Sequence, residues 1–136
     1  MSSTLTVTNL TATNLTDGGG TTSTFANINS GSVKAWVNFN QQGTYSTRDS
    51  FNVASLTDNA TGDATMNFSS NMGNNGYSFN GCAGNGVSGT GISFVAPRDA
   101  DPTSSAIRMH GKNYQNTSSD RTFTAYSVTG DLACVH

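Results

Sequence analysis

The segments Lys34–Phe39 (KAWVNF) and Arg48–Phe68 (RDSFNVASLTDNATGDATMNF) decide how this chain folds. Around the first, Val33, Ala35, Val37 and Phe39 fall on one side of an extended chain, and Lys34, Trp36 and Asn38 fall on the other. That period of two is what a half-buried strand produces. The second segment opens on another strand near Phe51–Leu56 and runs into the polar loop Asp58-Asn59-Ala60-Thr61-Gly62-Asp63. Glycine there supplies the positive φ that a tight reversal needs. Beyond it Ala64, Met66 and Phe68 share one face again, so the pair reads as a β-hairpin.

Working outward, further short strands are expected near Tyr77–Cys82, Gly91–Ala96, Ser104–His110 and Thr122–Thr129. Asn75-Gly76, Asn80-Gly81 and Asn85-Gly86 read as turns between them, and Pro97 and Pro102 fence off a loop carrying Arg98, Asp99 and Asp101. Composition agrees. Ser, Thr, Asn and Gly make up about half of the 136 residues, and all eight acidic residues are Asp. Thr favours strands, Asn, Asp and Gly favour turns, and the absence of Glu argues against helices. The apolar share is low at 34%, but a net charge of −2 and 9% aromatics do not fit a disordered chain. The reading is an all-β protein: an antiparallel β-sandwich or jelly-roll-like domain over residues 21–136, essentially without helix.

Residues 1–20 are expected to act differently. TNLT occurs at Thr8–Thr11 and again at Thr13–Thr16, and Leu5, Val7, Leu10 and Leu15 have no evident partner within one chain. Copies packed around an axis could bury these four side chains against one another, so the segment reads as a docking or oligomerising arm. Asp17-Gly18-Gly19-Gly20 then reads as its flexible joint.

The chemistry-bearing residues are thinly spread. Six basic residues without a cluster give no footprint for nucleic acid, and no long apolar run suggests membrane insertion or a secretory leader. Gly84-Asn85-Gly86-Val87-Ser88-Gly89 matches a dinucleotide fingerprint in letters, but a strand-like stretch follows where that motif needs a helix. Ser104 or Ser105 with His110 and Asp101 can be drawn as a triad, yet nothing in the sequence holds them together. Asp99 and Asp101 read as a turn cluster with Arg98 rather than a calcium site. Cys82 and Cys134 read as reduced thiols in or near the core, without metal-ligand spacing to either histidine. No catalytic residue, metal or cofactor is expected. Asn9, Asn14, Asn59, Asn67 and Asn116 sit in N-x-S/T patterns and read as polar strand and turn residues. For contact with a glycan or another receptor the aromatics flanked by polar residues are Trp36 and Tyr45 near Asn40-Gln41-Gln42 and Tyr114 beside Gln115-Asn116. Tyr45 and Tyr114 are the candidates, and Trp36 reads rather as buried in the sandwich or against a neighbouring subunit.

Lys34-Ala35-Trp36-Val37-Asn38-Phe39, Arg48, Ser50-Phe51-Asn52-Val53, Asp58-Asn59, Thr61-Gly62-Asp63 and Asn67-Phe68 together resemble a β-domain common in tail-fibre-like and other virion proteins of tailed phages. In that group a KAWVNF strand precedes an R-x-S-F/Y-N-V strand and a D-N-G-T-G-D hairpin into a strand ending V-N-F. Ala60 and Met66 depart from the pattern and leave the hairpin intact. The resemblance is specific over roughly a third of the chain and general beyond Tyr77. It implies a non-enzymatic virion structural protein: a short tail fibre, spike or tip on the particle surface, assembled in the host cytoplasm. Its partners would be two further copies in a homotrimer, other tail or capsid proteins and a host surface glycan. A capsid decoration protein and a free carbohydrate-binding module are the alternatives.

Overall fold

The computed structural model describes residues 14–16, 19–20, 22–85, 92–98 and 101–133. Its strands are β1 (Asn14–Thr16), β2 (Thr22–Thr24), β3 (Val33–Asn40), β4 (Ser46–Phe51), β5 (Val53–Ala60), β6 (Asp63–Phe68), β7 (Ser78–Gly84), β8 (Ser93–Pro97), β9 (Ala106–Lys112) and β10 (Phe123–Thr129). β1 and β2 pair as a small antiparallel hairpin. The other eight form one antiparallel sheet in the order β4-β3-β10-β7-β8-β9-β6-β5. The expected all-β architecture is present, as a nearly closed barrel of sandwich-like form.

Closure follows from a single residue. The sheet's two edge strands, β4 and β5, are consecutive in the chain and are separated only by Asn52. Asn52 has φ +55, a left-handed conformation that Asn tolerates better than most residues. Its Nδ2 donates to the carbonyls of Lys34 (2.9 Å) and Ser70 (3.1 Å), and its Oδ1 accepts from Ser70 N (2.7 Å). The bend thus ties β3 to the chain leaving β6. The strand expected over Phe51–Leu56 is therefore two strands, broken at Asn52.

The core lies between the folded halves of the sheet. Ala35, Val37 and Phe39 of β3 and Tyr126 and Val128 of β10 meet Ala64, Met66 and Phe68 of β6 and Ile107 and Met109 of β9. The Phe39 and Tyr126 rings meet edge to face with centroids 5.3 Å apart, a favoured arrangement. The β5–β6 reversal is tighter than expected, with Ala60 opposite Asp63 and only Thr61-Gly62 between. Gly62 has φ +70, and a Cβ there would lie 2.7 Å from the Gly111 carbonyl oxygen. Asn80-Gly81 lies inside β7 rather than in a turn. Glycine is needed at 81 because a Cβ would meet Val95 at 2.9 Å and the Tyr126 ring at 3.0 Å.

Among the described residues one short helix forms, α1 (Phe25–Gly31), in keeping with a fold that is essentially without helix. Thr24 Oγ1 accepts from Asn27 N (3.1 Å), the usual N-cap bond. Lys34 is buried beside the helix end, its Nζ donating to Asn29 Oδ1 (2.8 Å) and to Ser32 Oγ. No described helix is long and apolar enough to cross a membrane.

Candidate binding surface

Because side chains alternate along strands, the outer face of the sheet is set by the same register as the core. Across β7, β10, β3 and β4 the pairing aligns Asn80, Ser127, Trp36 and Phe51 in one row. The next row aligns Cys82, Ala125, Asn38 and Asp49. Small side chains over β7 and β10 leave a groove of about 410 Å³, with Trp36 and Asn38 on one side and Asn80 and Cys82 on the other. That volume lies within the about 300–1,000 Å³ typical of small-ligand clefts. Of the places open to it, Trp36 takes the outer face of the sheet, half-buried and lining the groove, rather than the core. Exposed aromatics surround it. Phe51 lies opposite Trp36 on β4 and is 52% exposed, and Phe94 lies opposite Cys82 on β8 and is 71% exposed. Phe123 is 41% exposed and carries the Arg48 guanidinium over its ring at 5.5 Å.

A charged cluster occupies the outer face of β6, β8 and β9. The Asp63 side chain is fully buried, because Arg108 and Arg98 lie over it. Arg108 holds both carboxylate oxygens, Nε to Oδ1 at 2.9 Å and Nη2 to Oδ2 at 2.8 Å. Arg98 Nε lies 3.4 Å from Oδ2, and Asn59 Nδ2 donates to Oδ1 at 3.2 Å. Burial pushes the Asp63 carboxyl up, but the hydrogen bonds from Arg108 and Asn59 and the two guanidinium charges outweigh it and hold the group below its ordinary value. Arg98 thus reaches across to Asp63, not only within its own loop; Asp99 lies outside the described residues.

His110 stands beside this cluster in a second groove of about 420 Å³ with Phe94, Arg98 and Lys112. Its Nε2 lies 2.7 Å from Ser118 Oγ, so it meets neither Ser104 nor Ser105 as the drawn triad required. Arg98 Nη1 lies 2.9 Å from Nδ1 and 3.1 Å from Nε2. The guanidinium nitrogen therefore sits against the imidazole on the side where a general base would meet its substrate. In a triad a carboxylate orients the histidine and stabilises its cation; here an arginine opposes that charge.

The other candidates are dispersed. Tyr45 is drawn inward: its ring packs against Phe39 with centroids 5.6 Å apart, and its hydroxyl donates to the Asp63 carbonyl at 3.3 Å. Burial, and then the nearby Asp58 charge, push its phenol well above the ordinary tyrosine value. Tyr114 is 84% exposed, on a turn organised by Asn113 Oδ1, which accepts from Gln115 N and Thr117 N. Cys82 is a free thiol on the outer groove, exposed rather than in or near the core. Cys134, Leu5, Val7 and Leu10 lie outside the described residues. Leu15 pairs with Ser23 in the β1–β2 hairpin, which spans the boundary expected at residue 20. The glycine-rich fingerprint begins at the end of β7, and the next described strand is the antiparallel β8, not a helix. Among the described residues no three His, Cys, Asp or Glu side chains gather as metal ligands.

The groove residues Asn80 and Ser127 and the partners of Asp63 were not among the candidates from sequence. Each depends on which strand pairs with which, and only Trp36 carried a local signal, its place opposite Val37 in the alternation. Compared with known proteins, the chain matches no family model, no curated protein and no solved structure.

Proposed function

We propose that the chain is a non-enzymatic structural protein of a phage particle, a short fibre, spike or tip that assembles as a homotrimer through residues 1–20 and presents its β-domain to the host surface. The observation that supports this reading is where the family-like residues fall. KAWVNF is β3, Ser50-Phe51-Asn52-Val53 is the β4–β5 joint, Thr61-Gly62-Asp63 is the reversal, and Asn67-Phe68 closes β6. These residues do architectural work: Phe39 and Phe68 fill the core, Asn52 closes the sheet, and Gly62 permits the turn. A pattern spent on architecture is what a display module needs, because its binding residues must be free to differ. Weak single-site contacts would then be multiplied by the copies in one oligomer.

Immunogold microscopy of purified particles, with antibodies raised against the chain, tests the reading. Label at discrete points on the particle exterior is expected. Label spread evenly over the shell would assign the chain to capsid decoration, and absence of its peptides from purified particles would refute both. Sedimentation of the full chain at micromolar concentration should give a three-chain species; a clean monomer would refute the trimer.

A further inference from the structure

We propose that the outer groove over β3, β10 and β7 is a binding subsite for one neutral hexose-type unit of a surface glycan. Trp36 is its stacking wall, and Asn80 and Ser127 are its hydrogen-bonding partners. The inference deepens the attachment reading and rests on it for its biological role.

The chemistry of the lining selects the ligand. One wall is the half-buried indole of Trp36, and the floor is low because Ala125 and Ser127 are small. The side chains of Asn80 and Ser127 have no hydrogen-bond partner among the described residues. Asn38 Oδ1 is already engaged by Arg48 Nη1 at 3.2 Å, which leaves its amide nitrogen to act as a donor. A purely apolar partner laid over this face would strand these amides and the hydroxyl, and burying polar groups unpaired is costly. A purely polar ligand would gain nothing from the indole. A pyranose ring satisfies both, with a C–H face to stack on the indole and hydroxyls around its rim to donate and accept. No charged side chain lines the groove. The neighbouring charges on β4, Arg48 and Asp49, are of opposite sign, so an anionic sugar has no electrostatic advantage. The exposed Phe51 and Phe94 to either side can carry flanking units of a longer glycan.

Two reporters are built into the site. Trp36 is the only tryptophan of the chain, so the protein's indole emission reads this groove alone. Cys82 is an exposed thiol on the opposite wall, and its alkylation is resolved from that of Cys134 on separate peptides. The full chain is titrated with glucose, galactose, mannose and N-acetylglucosamine and their short oligomers, with sialic and glucuronic acids in parallel. Expected are a saturable change in Trp36 emission with a neutral sugar at millimolar concentration, protection of Cys82 from iodoacetamide by the same sugar, and about tenfold weaker binding in Asn80→Ala at unchanged circular dichroism.

Emission and alkylation that no neutral sugar moves would overturn the proposal, as would a response to the acidic sugars alone. Emission and Cys82 protection that follow protein concentration without sugar would also overturn it and assign the face to contact between copies. The two readings fail separately. Particles that carry the label while sugars leave Trp36 unmoved keep the attachment role and remove this site. Sugar binding by a chain absent from particles keeps the site and removes the virion role.

Discussion

Replacing Asp63 by alanine tests the electrostatic framework most directly. The carboxylate is fully buried and held by two hydrogen bonds from Arg108, one from Asn59 and the charge of Arg98. Breaking a buried ion pair by removing one partner costs about 3–5 kcal/mol, chiefly because the other charge is left unpaired. Here the Arg108 and Arg98 side chains are 34% and 35% exposed, so both guanidiniums can turn to water and the loss is smaller. We expect about 2–3 kcal/mol, which for a domain of this size lowers Tm by roughly 8–12 °C. Asp63→Asn keeps the shape but turns an amide donor toward guanidinium donors, so it should rescue little. In a double-mutant cycle with Arg108→Ala the two losses should fall short of additive by about 1 kcal/mol or more.

The pH dependence has a definite sign. The folded carboxyl lies below its unfolded value of about 3.9, so its stabilisation is fully present above that pH and is lost as pH falls through the folded value. The native chain and Asp63→Ala should therefore converge in stability in acid and diverge toward neutrality. Urea unfolding across that range is the assay. A difference below about 0.5 kcal/mol at neutral pH, the scatter of ordinary surface substitutions, or one that does not change with acid, would refute the reasoning.

Asn52→Ala should cost about 2–4 kcal/mol in urea unfolding, through left-handed strain and the lost side-chain hydrogen bonds, whereas Asn52→Gly should recover the strain alone. Tyr126→Phe removes a buried hydroxyl with no hydrogen-bond partner among the described residues. It should leave calorimetric stability within about 0.5 kcal/mol of native or raise it, and a loss above about 1 kcal/mol would contradict this placement. Burial pushes the Tyr77 phenol up to about 12, while its hydroxyl bonds the carbonyls of Thr103 and Ala106. Its contribution is fully present below the unfolded value of about 10 and is lost as pH rises through 12. Phenolate absorbance followed into base should therefore show one late-titrating tyrosine fewer in Tyr77→Phe than in the native chain, while Tyr45 and Tyr126, also pushed up by burial, titrate late in both.

The parts of the fold legible in the sequence are those where a side chain's role is local. Val37 and Phe39 alternate with Trp36 and Asn38 within one strand, and Thr61-Gly62 turns within one hairpin. The break at Asn52 was hidden because Asn in a strand-like run gives no sign that it is left-handed, and β4 (STRDSF) shows little apolar alternation. Helix α1 was hidden because FANINSG holds poor helix formers, and what starts it is a cap made by its neighbour Thr24. Asp63 read as a turn residue because the arginine that covers it most closely lies 45 positions away. Tyr45 looked like an exposed aromatic among polar residues, but the strand pairing turns its ring onto Phe39. For Asp63 and Tyr45 the missing knowledge is which segments lie beside one another in the folded sheet, which residue types within one strand do not encode.

Strand order also explains how one scaffold can hold its shape while changing what it touches. The residues that close the sheet belong to β3–β6 and point inward or into the joint. Of the groove, only Trp36, Asn38 and part of the floor come from that stretch, while Asn80, Cys82, Ala125 and Ser127 come from β7 and β10. Those four side chains face outward and are not part of the core cluster, so replacing them removes no core contact. A surface exchange of this kind costs little, commonly within about 0.5 kcal/mol, against several for a core residue such as Phe39. The physical cost of altering these outward-facing rows is therefore far below that of altering the β3–β6 framework. That asymmetry would suit the proposed attachment role, in which a fixed fold lies beneath a surface that substitution can re-aim.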